Sequence, residues 1–113
     1  MTNDLTVSRE ARDDLTAIYA YLFEKNPDSA ELFLSEARSC FHRLAELPGI
    51  GHVWRGTARL DRQVRVFPLS RRFDDWLVFY RECKVDILIV RVLNGRRNLA
   101  PIIEHTADDN NSE

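Results

Sequence analysis

The chain has 113 residues, 44% of them hydrophobic and 30% charged, with a formal net charge of −2. This length suits one domain and excludes a second, and the composition excludes a chain that stays unfolded for lack of apolar residues. The two cysteines, Cys40 and Cys83, are not part of a zinc-binding spacing and are interpreted as free thiols.

The charges are unevenly distributed along the chain. Residues 1–51 carry 5 basic and 9 acidic side chains, residues 52–105 carry 11 and 6, and residues 106–113 carry 0 and 3. Ten of the eleven basic residues in the middle segment are arginines, which favour bidentate contacts with carboxylates or phosphates. This segment therefore predicts a surface for an acidic partner. The alternative is that the charges only solvate the exposed face of a sheet.

The N-terminal part predicts a helix after a short extended segment. That segment, residues 5–7, is expected to form an edge strand, and Ser8 is a suitable helix N-cap. The helix is expected to end at Asn26 and Pro27. Its apolar face recurs at helical spacing and consists of Ala11, Leu15, Ile18, Tyr19 and Leu22. The N-terminus has no basic start followed by an apolar run, and no apolar stretch approaches the roughly 18 residues of a membrane helix, so we expect a cytoplasmic protein.

A second helix is predicted to follow, capped by Asp28 or Ser29 and stopped by Pro48 and the glycines beyond it. Because few residues separate the two helices, they should form an antiparallel hairpin. The apolar face of the second helix is Phe33, Ala37, Cys40, Phe41, Leu44 and Leu47.

The second half of the chain is rich in β-branched and aromatic residues and predicts three strands, at residues 63–69, 76–81 and 85–93. The last is apolar on both faces and should lie centrally. We therefore predict an α+β fold, an N-terminal antiparallel helix hairpin packed on a three- to four-stranded antiparallel sheet. Residues 1–105 should form a single domain, followed by a flexible tail at 106–113. No glycine loop for phosphates, GxSxG turn or metal-binding cluster is present, so no cofactor and no metal are expected.

Five strings occur in succession: VSREARDDLTAIYAYL, LAELPGIG, QVRVFPL, WLVFYR and VRVLNGRRNL. Over residues 5–99 they resemble the toxins of the ParE/RelE superfamily, and the ParE branch is favoured. The residues that carry the resemblance are Ala11, Asp14, Leu15, Tyr21, Pro48, Gly51, Arg65, Phe79, Tyr80, Arg81 and the segment 91–97.

The resemblance implies the toxin component of a type II toxin-antitoxin system, neutralised by a cognate, ParD-like antitoxin whose disordered tail folds on the toxin. A ParE-like toxin inhibits DNA gyrase by binding it. The alternatives are a RelE-like nuclease that cuts messenger RNA on the ribosome, and a non-toxic partner or corepressor that keeps the fold. A homodimer, or a hetero-oligomer with the antitoxin, is compatible with each reading.

Four aromatic residues are candidate anchors for the antitoxin, since Trp and Tyr are enriched among residues that carry binding energy. They are Tyr19, Phe23, Trp54 and Trp76. The alternative for each is packing in the core.

A nuclease needs a base, a cation and an acid. The candidates would be Arg65, Tyr80, Arg81 and His105, with Glu104 as a further carboxyl group. Where many relatives carry a histidine and an aspartate, this chain has Asn94 and Asn98, whose amides transfer no proton. We therefore favour binding without catalysis.

The target-binding residues would be Arg65, Arg81, Arg91, Arg96 and Arg97. Their alternative role is cross-strand pairing with Asp61, Asp74, Asp75, Glu82 and Asp86.

Overall fold

The computed structural model describes residues 4–56 and 63–111. In chain order, its helices and strands are β1 (Asp4–Val7), α1 (Arg9–Lys25), α2 (Pro27–Glu46), β2 (His52–Val53), β3 (Arg65–Pro68), β4 (Trp76–Glu82), β5 (Asp86–Asn94) and α3 (Leu99–Asn111). A single 3-10 turn, Pro48–Ile50, follows α2. The predicted α+β class is confirmed.

Helix capping defines the hairpin of α1 and α2. Ser8 caps α1 as predicted, its side-chain oxygen accepting a hydrogen bond from the Ala11 amide at 3.0 Å. The predicted cap of α2, Asp28 or Ser29, is wrong. Asn26 takes that role, because its side chain accepts from the Asp28 amide at 3.0 Å and Pro27 occupies the first helical position, where no amide hydrogen is needed.

Within the part of the chain that the structure describes, the sheet has five strands in the order β1-β5-β4-β3-β2. Neighbours β5, β4, β3 and β2 are antiparallel, whereas β1 runs parallel to β5, so the sheet is larger than predicted and not wholly antiparallel. A parallel pair is possible here because the chain between β1 and β5, which includes α1 and α2, is long enough for the crossover that parallel strands need. As predicted, residues 5–7 lie in an edge strand and β5 is internal.

Apolar residues cover both faces of the sheet. The hairpin packs on one face around Phe33, Leu44 and Ile89. On the other face Ile103 of α3 packs with Phe79, Val90 and Leu93. Two faces covered in this way explain why β5 is apolar on both sides.

Helix α3 changes the expected end of the domain. The chain was predicted to become a flexible tail at residue 106, but α3 continues to Asn111 and Thr106 is 1% exposed. The sequence suggested a tail because residues 107–113 offer almost no apolar side chain, whereas the helix docks through Leu99, Ile102 and Ile103, with Thr106 buried beside them. Within the described residues, no helix is long and apolar enough to cross a membrane.

Candidate functional site

Arg91, a predicted target-binding residue, is largely buried in an ion pair with Asp14 of α1. The Arg91 Nε lies 2.7 Å from Asp14 Oδ2, and its Nη2 lies 2.8 Å from Oδ1. Asp14 Oδ2 also accepts a hydrogen bond from the Val92 amide at 2.9 Å. The hydrogen bonds and charge of Asp14 raise the pKa of Arg91. Arg91 therefore joins α1 to β5 and does not form an open surface.

The same arginine reaches α3 on the other side of the sheet. Its Nη1 donates to Thr106 Oγ1 at 3.0 Å, and that hydroxyl donates to the Ile102 carbonyl oxygen at 2.8 Å. Arg91 thus connects α1, β5 and α3, and its guanidinium uses its hydrogen bonds for these contacts.

Two further predicted arginines are also partly or wholly inside the fold. Arg81 is 4% exposed. Arg65 donates from Nη1 to the Gly51 carbonyl oxygen at 2.8 Å, and its Nε lies 3.7 Å from Glu82 Oε1. The alternative of cross-strand pairing therefore describes Arg65 and Glu82 correctly. Asp61, another of the proposed pairing partners, lies outside the described residues.

Arg96 and Arg97 are exposed in the turn after β5. The Arg96 amide donates to Asn94 Oδ1 at 2.9 Å, so Asn94 shapes this turn. In the sheet, Trp76 pairs with Asn94, whereas Tyr80 pairs with Arg65 at the other end of β4. Four residues of strand correspond to about 13 Å. The five arginines therefore do not form one surface, contrary to the prediction: they divide between the interior and two ends of the sheet.

Tyr80 holds the turn that follows α2. Its hydroxyl donates to the Pro48 carbonyl oxygen at 2.7 Å and accepts from the Gly51 amide at 2.9 Å. The side chain is completely buried, and burial raises the pKa of the Tyr80 phenol against the opposing effects of the Gly51 hydrogen bond and the Arg65 charge. A Cβ on Gly51 would lie 2.6 Å from the Tyr80 hydroxyl oxygen, so this approach requires glycine.

His105, the other predicted proton-transfer residue, lies exposed on α3. A surface hollow of about 510 Å³ adjoins Arg65 at the end of β4. Its lining consists of Gln63, Arg65, Glu82, Cys83 and Lys84. Sequence reasoning did not single out Lys84 or consider Glu82 as a site residue. Among the residues whose side chains are described, no group of three metal-binding side chains is present.

The four aromatic candidates for antitoxin binding also lie in different parts of the fold. Tyr19 donates to Glu31 Oε1 at 2.6 Å, and its ring lies 5.8 Å from that of Phe23, which is 47% exposed. Trp76 packs with the hairpin-side core, and Trp54 packs with the core on the opposite face. Tyr19, which is half-buried, and the exposed Phe23 thus form one aromatic pair on α1, while the two tryptophans lie on opposite faces of the sheet.

Comparison with known proteins gives this architecture a family. A family model described as "ParE toxin of type II toxin-antitoxin system, parDE" matches residues 5–99. The chain belongs to the ParE toxin family. It is therefore the toxin component of a type II toxin-antitoxin system, with an antitoxin as partner. The predicted superfamily and branch are confirmed.

Two relatives are similar to this ParE-family toxin over most of its length. Toxin ParE3 of Caulobacter vibrioides is 33% identical over 94 residues, which is 82% of this chain and 87% of that protein. A solved structure, "Chromosomal ParDE TA system from P. aeruginosa", shares the fold with a TM-score of 0.66 and 21% identity, covering 82% of this chain and 96% of that one. The family match ends at Leu99, the first residue of α3.

Proposed function

We propose that this ParE-family toxin acts in the cytoplasm by binding DNA gyrase, without catalysis of its own, and that its cognate antitoxin prevents this binding. The observation that carries the proposal is the engagement of the Tyr80 hydroxyl with Pro48 and Gly51. A phenol that already donates one hydrogen bond and accepts another inside the core is poorly placed to exchange a proton with RNA.

Two further groups, Asn94 and Arg91, support the same proposal. The Asn94 side chain accepts a hydrogen bond from the turn after β5, and its amide transfers no proton. Arg91 is neutralised by Asp14. Metal-free RNA cleavage needs a cation beside an acid and a base. Arg91, whose charge is paired, and the Asn94 amide do not supply that combination.

Arg96 and Arg97 are the target-binding candidates that fit the proposal best. Both are exposed on a turn whose backbone is held by Asn94. Exposed guanidiniums on a rigid turn are suited to an acidic protein surface, where they accelerate association and select the partner. Tyr19 and Phe23, on α1, are retained as candidate anchors for the antitoxin.

One observation favours the alternative, ribosome-dependent cleavage of messenger RNA. The hollow beside Arg65 combines a carboxylate, Glu82, with the cations of Arg65 and Lys84. A carboxylate base and two cations are part of what RNA cleavage requires. In this alternative Glu82, which is not among the predicted nuclease residues, would be the base.

A supercoiling assay with purified gyrase tests the proposal. The wild-type toxin should inhibit supercoiling, and the double variant Arg96→Glu/Arg97→Glu should inhibit at least about tenfold less because it reverses the charge of the binding turn. The matched control is Arg12→Glu/Arg38→Glu, which reverses two exposed arginines on the helices and should inhibit like the wild type.

A parallel assay with programmed ribosomes examines the alternative. Absence of gyrase inhibition together with messenger RNA cleavage that is lost in Glu82→Gln would replace our proposal with the nuclease. Normal growth of cells that express the toxin without antitoxin would instead indicate the non-toxic partner.

A further inference from the structure

Two turns meet at one end of the sheet. The turn between β3 and β4 occupies residues 69–75, and the turn after β5 occupies residues 95–98. The Gly95 amide donates to the Asp75 carbonyl oxygen at 2.8 Å, which joins the two turns. Each turn carries a pair of adjacent arginines, at 71–72 and at 96–97, and all four residues are exposed. We call these four arginines the basic end of the sheet.

Internal contacts fix the backbone of both turns. In the turn between β3 and β4, Ser70 Oγ accepts from the Phe73 amide at 3.1 Å, and the Phe73 ring packs edge-on against Phe33 with 5.3 Å between the ring centroids. In the turn after β5, the amides of the arginine pair donate to Asn94 Oδ1 at 2.9 Å and to the Asn94 carbonyl oxygen at 3.1 Å. A ligand of the basic end therefore has to order only side chains, because the backbone is already held.

Three of the four guanidinium groups have no carboxylate partner in the described part of the chain. Arg71, Arg96 and Arg97 take part in no ion pair there. The Arg72 Nε lies 3.9 Å from Glu36 Oε1 and the Arg72 side chain is 66% exposed, so solvent screens this pair and it holds the arginine weakly. The charge of the basic end is therefore open to an anionic ligand.

The side chains of the two turns suit phosphates better than they suit a protein groove. Protein interfaces draw most of their affinity from aromatic and apolar anchors. The apolar side chains of these turns are Leu69 and Phe73, and both pack in the hairpin-side core. What the turns expose includes guanidinium groups and the Asn98 amide, which are donors that proteins use to contact DNA phosphates. Helix α3 begins at Leu99, so the positive end of its dipole adds to the same region.

We propose that the basic end binds the phosphates of duplex DNA. The choice of DNA rests on the proposed function, because gyrase holds duplex DNA while it supercoils it, and the proposal adds this DNA to the acidic surface that Arg96 and Arg97 contact. Two exposed aspartates, Asp74 and Asp75, lower the net charge of the two turns from +4 to +2. Binding is therefore expected to be independent of base sequence and weak, with a Kd of about 10⁻⁴ to 10⁻⁶ M.

Fluorescence anisotropy with a short labelled DNA duplex measures this binding with the full-length toxin and without gyrase. Four phosphate contacts predict that the logarithm of the association constant falls against the logarithm of the salt concentration with a slope of about −3 to −4. Arg71→Gln and Arg97→Gln should each weaken binding about threefold at low salt and make the slope less steep by about one. The matched control, Arg12→Gln/Arg38→Gln, neutralises two exposed arginines of the hairpin helices and should bind like the wild type.

A gain of affinity tests the same surface from the opposite direction. Asp74→Asn/Asp75→Asn should bind the duplex at least about threefold more tightly, because it removes two negative charges beside the phosphates. Asp13→Asn/Glu24→Gln removes two exposed negative charges from α1 and should leave the affinity within about twofold of the wild type. Circular dichroism and urea unfolding check that every variant is folded.

The outcomes separate this proposal from the proposed function. Absence of saturable DNA binding by the wild type would overturn the proposal, and so would wild-type affinity and salt dependence in both Arg71→Gln and Arg97→Gln. Tighter binding of a single-stranded RNA of the same length would also overturn it and would favour the nuclease. DNA binding with the expected salt dependence, but without gyrase inhibition by the wild-type toxin, would overturn the proposed function and leave the DNA contact of the basic end in place.

Discussion

The carboxylate of Asp14 replaces a missing strand partner beside Arg91. The two residues are 77 positions apart, yet Asp14 receives two hydrogen bonds from Arg91 and one from the neighbouring Val92 amide. Strand β1 covers β5 only as far as Ile89, so beyond that point the edge of β5 needs another acceptor. A helix side chain supplies it, which ties the orientation of α1 to the sheet.

Asp14→Ala should destabilise the fold by about 3 kcal/mol, because it leaves a buried guanidinium and a strand amide without their acceptor. Urea unfolding measures the change. Asp13→Ala, at an exposed position next to it, should stay within about 0.5 kcal/mol. Equal stability of the two variants would mean that Arg91 finds an equivalent acceptor elsewhere.

Gly51→Ala should cost about 2 kcal/mol of unfolding free energy, as overpacking at a buried position does. Its Cβ would lie 2.6 Å from the Tyr80 hydroxyl oxygen and 2.9 Å from the Val66 carbonyl oxygen. The φ angle of Gly51 is −78°, so alanine can adopt the backbone and the effect isolates the clash. Gly49→Ala meets nothing within 4 Å and should unfold like the wild type in the same titration.

Tyr80→Phe should lower stability by about 1–3 kcal/mol because the Gly51 amide and the Pro48 carbonyl lose a buried partner. The pH dependence gives a second signature. The folded-state pKa of Tyr80 lies above its ordinary value of 10.0, so its contribution is fully present below pH 10.0 and is lost as the pH rises through the folded pKa. Thermal unfolding scans above pH 10 should show a smaller loss in Tyr80→Phe than in wild type. Parallel curves would contradict the assignment.

The two thiols should differ in reactivity. Burial raises the pKa of Cys40 to about 12, and the side chain is 5% exposed, whereas Cys83 is partly exposed. At pH 8 a thiol reagent should modify Cys83 rapidly and Cys40 only after unfolding in urea, because the thiolate is the reactive form. Cys83→Ser should abolish the rapid phase and Cys40→Ser should preserve it. Two rapid phases in the native wild type would show that the core opens at Cys40.

Helices α1 and α2 and the central strand were predictable because each follows from local periodicity. Ser8 and the apolar spacing through Leu22 define α1, and the doubly apolar stretch of β5 indicates an internal strand. The parallel pairing of β1 depends on contacts between distant parts of the chain, which periodicity does not encode. The same limitation explains α3, where Leu99, Ile102 and Ile103 pack against the sheet and the second half of the helix is polar.

The site was less predictable than the fold, since identical arginines have different roles. Arg91 forms an ion pair with a carboxylate of α1, Arg65 donates a hydrogen bond to a carbonyl oxygen that follows the turn after α2, and Arg96 is exposed. Only the neighbours of each arginine in the folded structure distinguish these roles. The clustering of arginine in the second half of the chain indicated a basic surface, but part of that charge stabilises the interior.

The pairing of β1 with β5 has a consequence for synthesis of the toxin. Asp4 precedes its partner Asp86 by 82 positions, so this strand pair closes only after the intervening helices and strands have been synthesised. A product terminated upstream of Asp86 lacks the strand against which α1 and α3 both pack. A chain that stops before β5 therefore has no complete core, and we expect it to have no toxin activity.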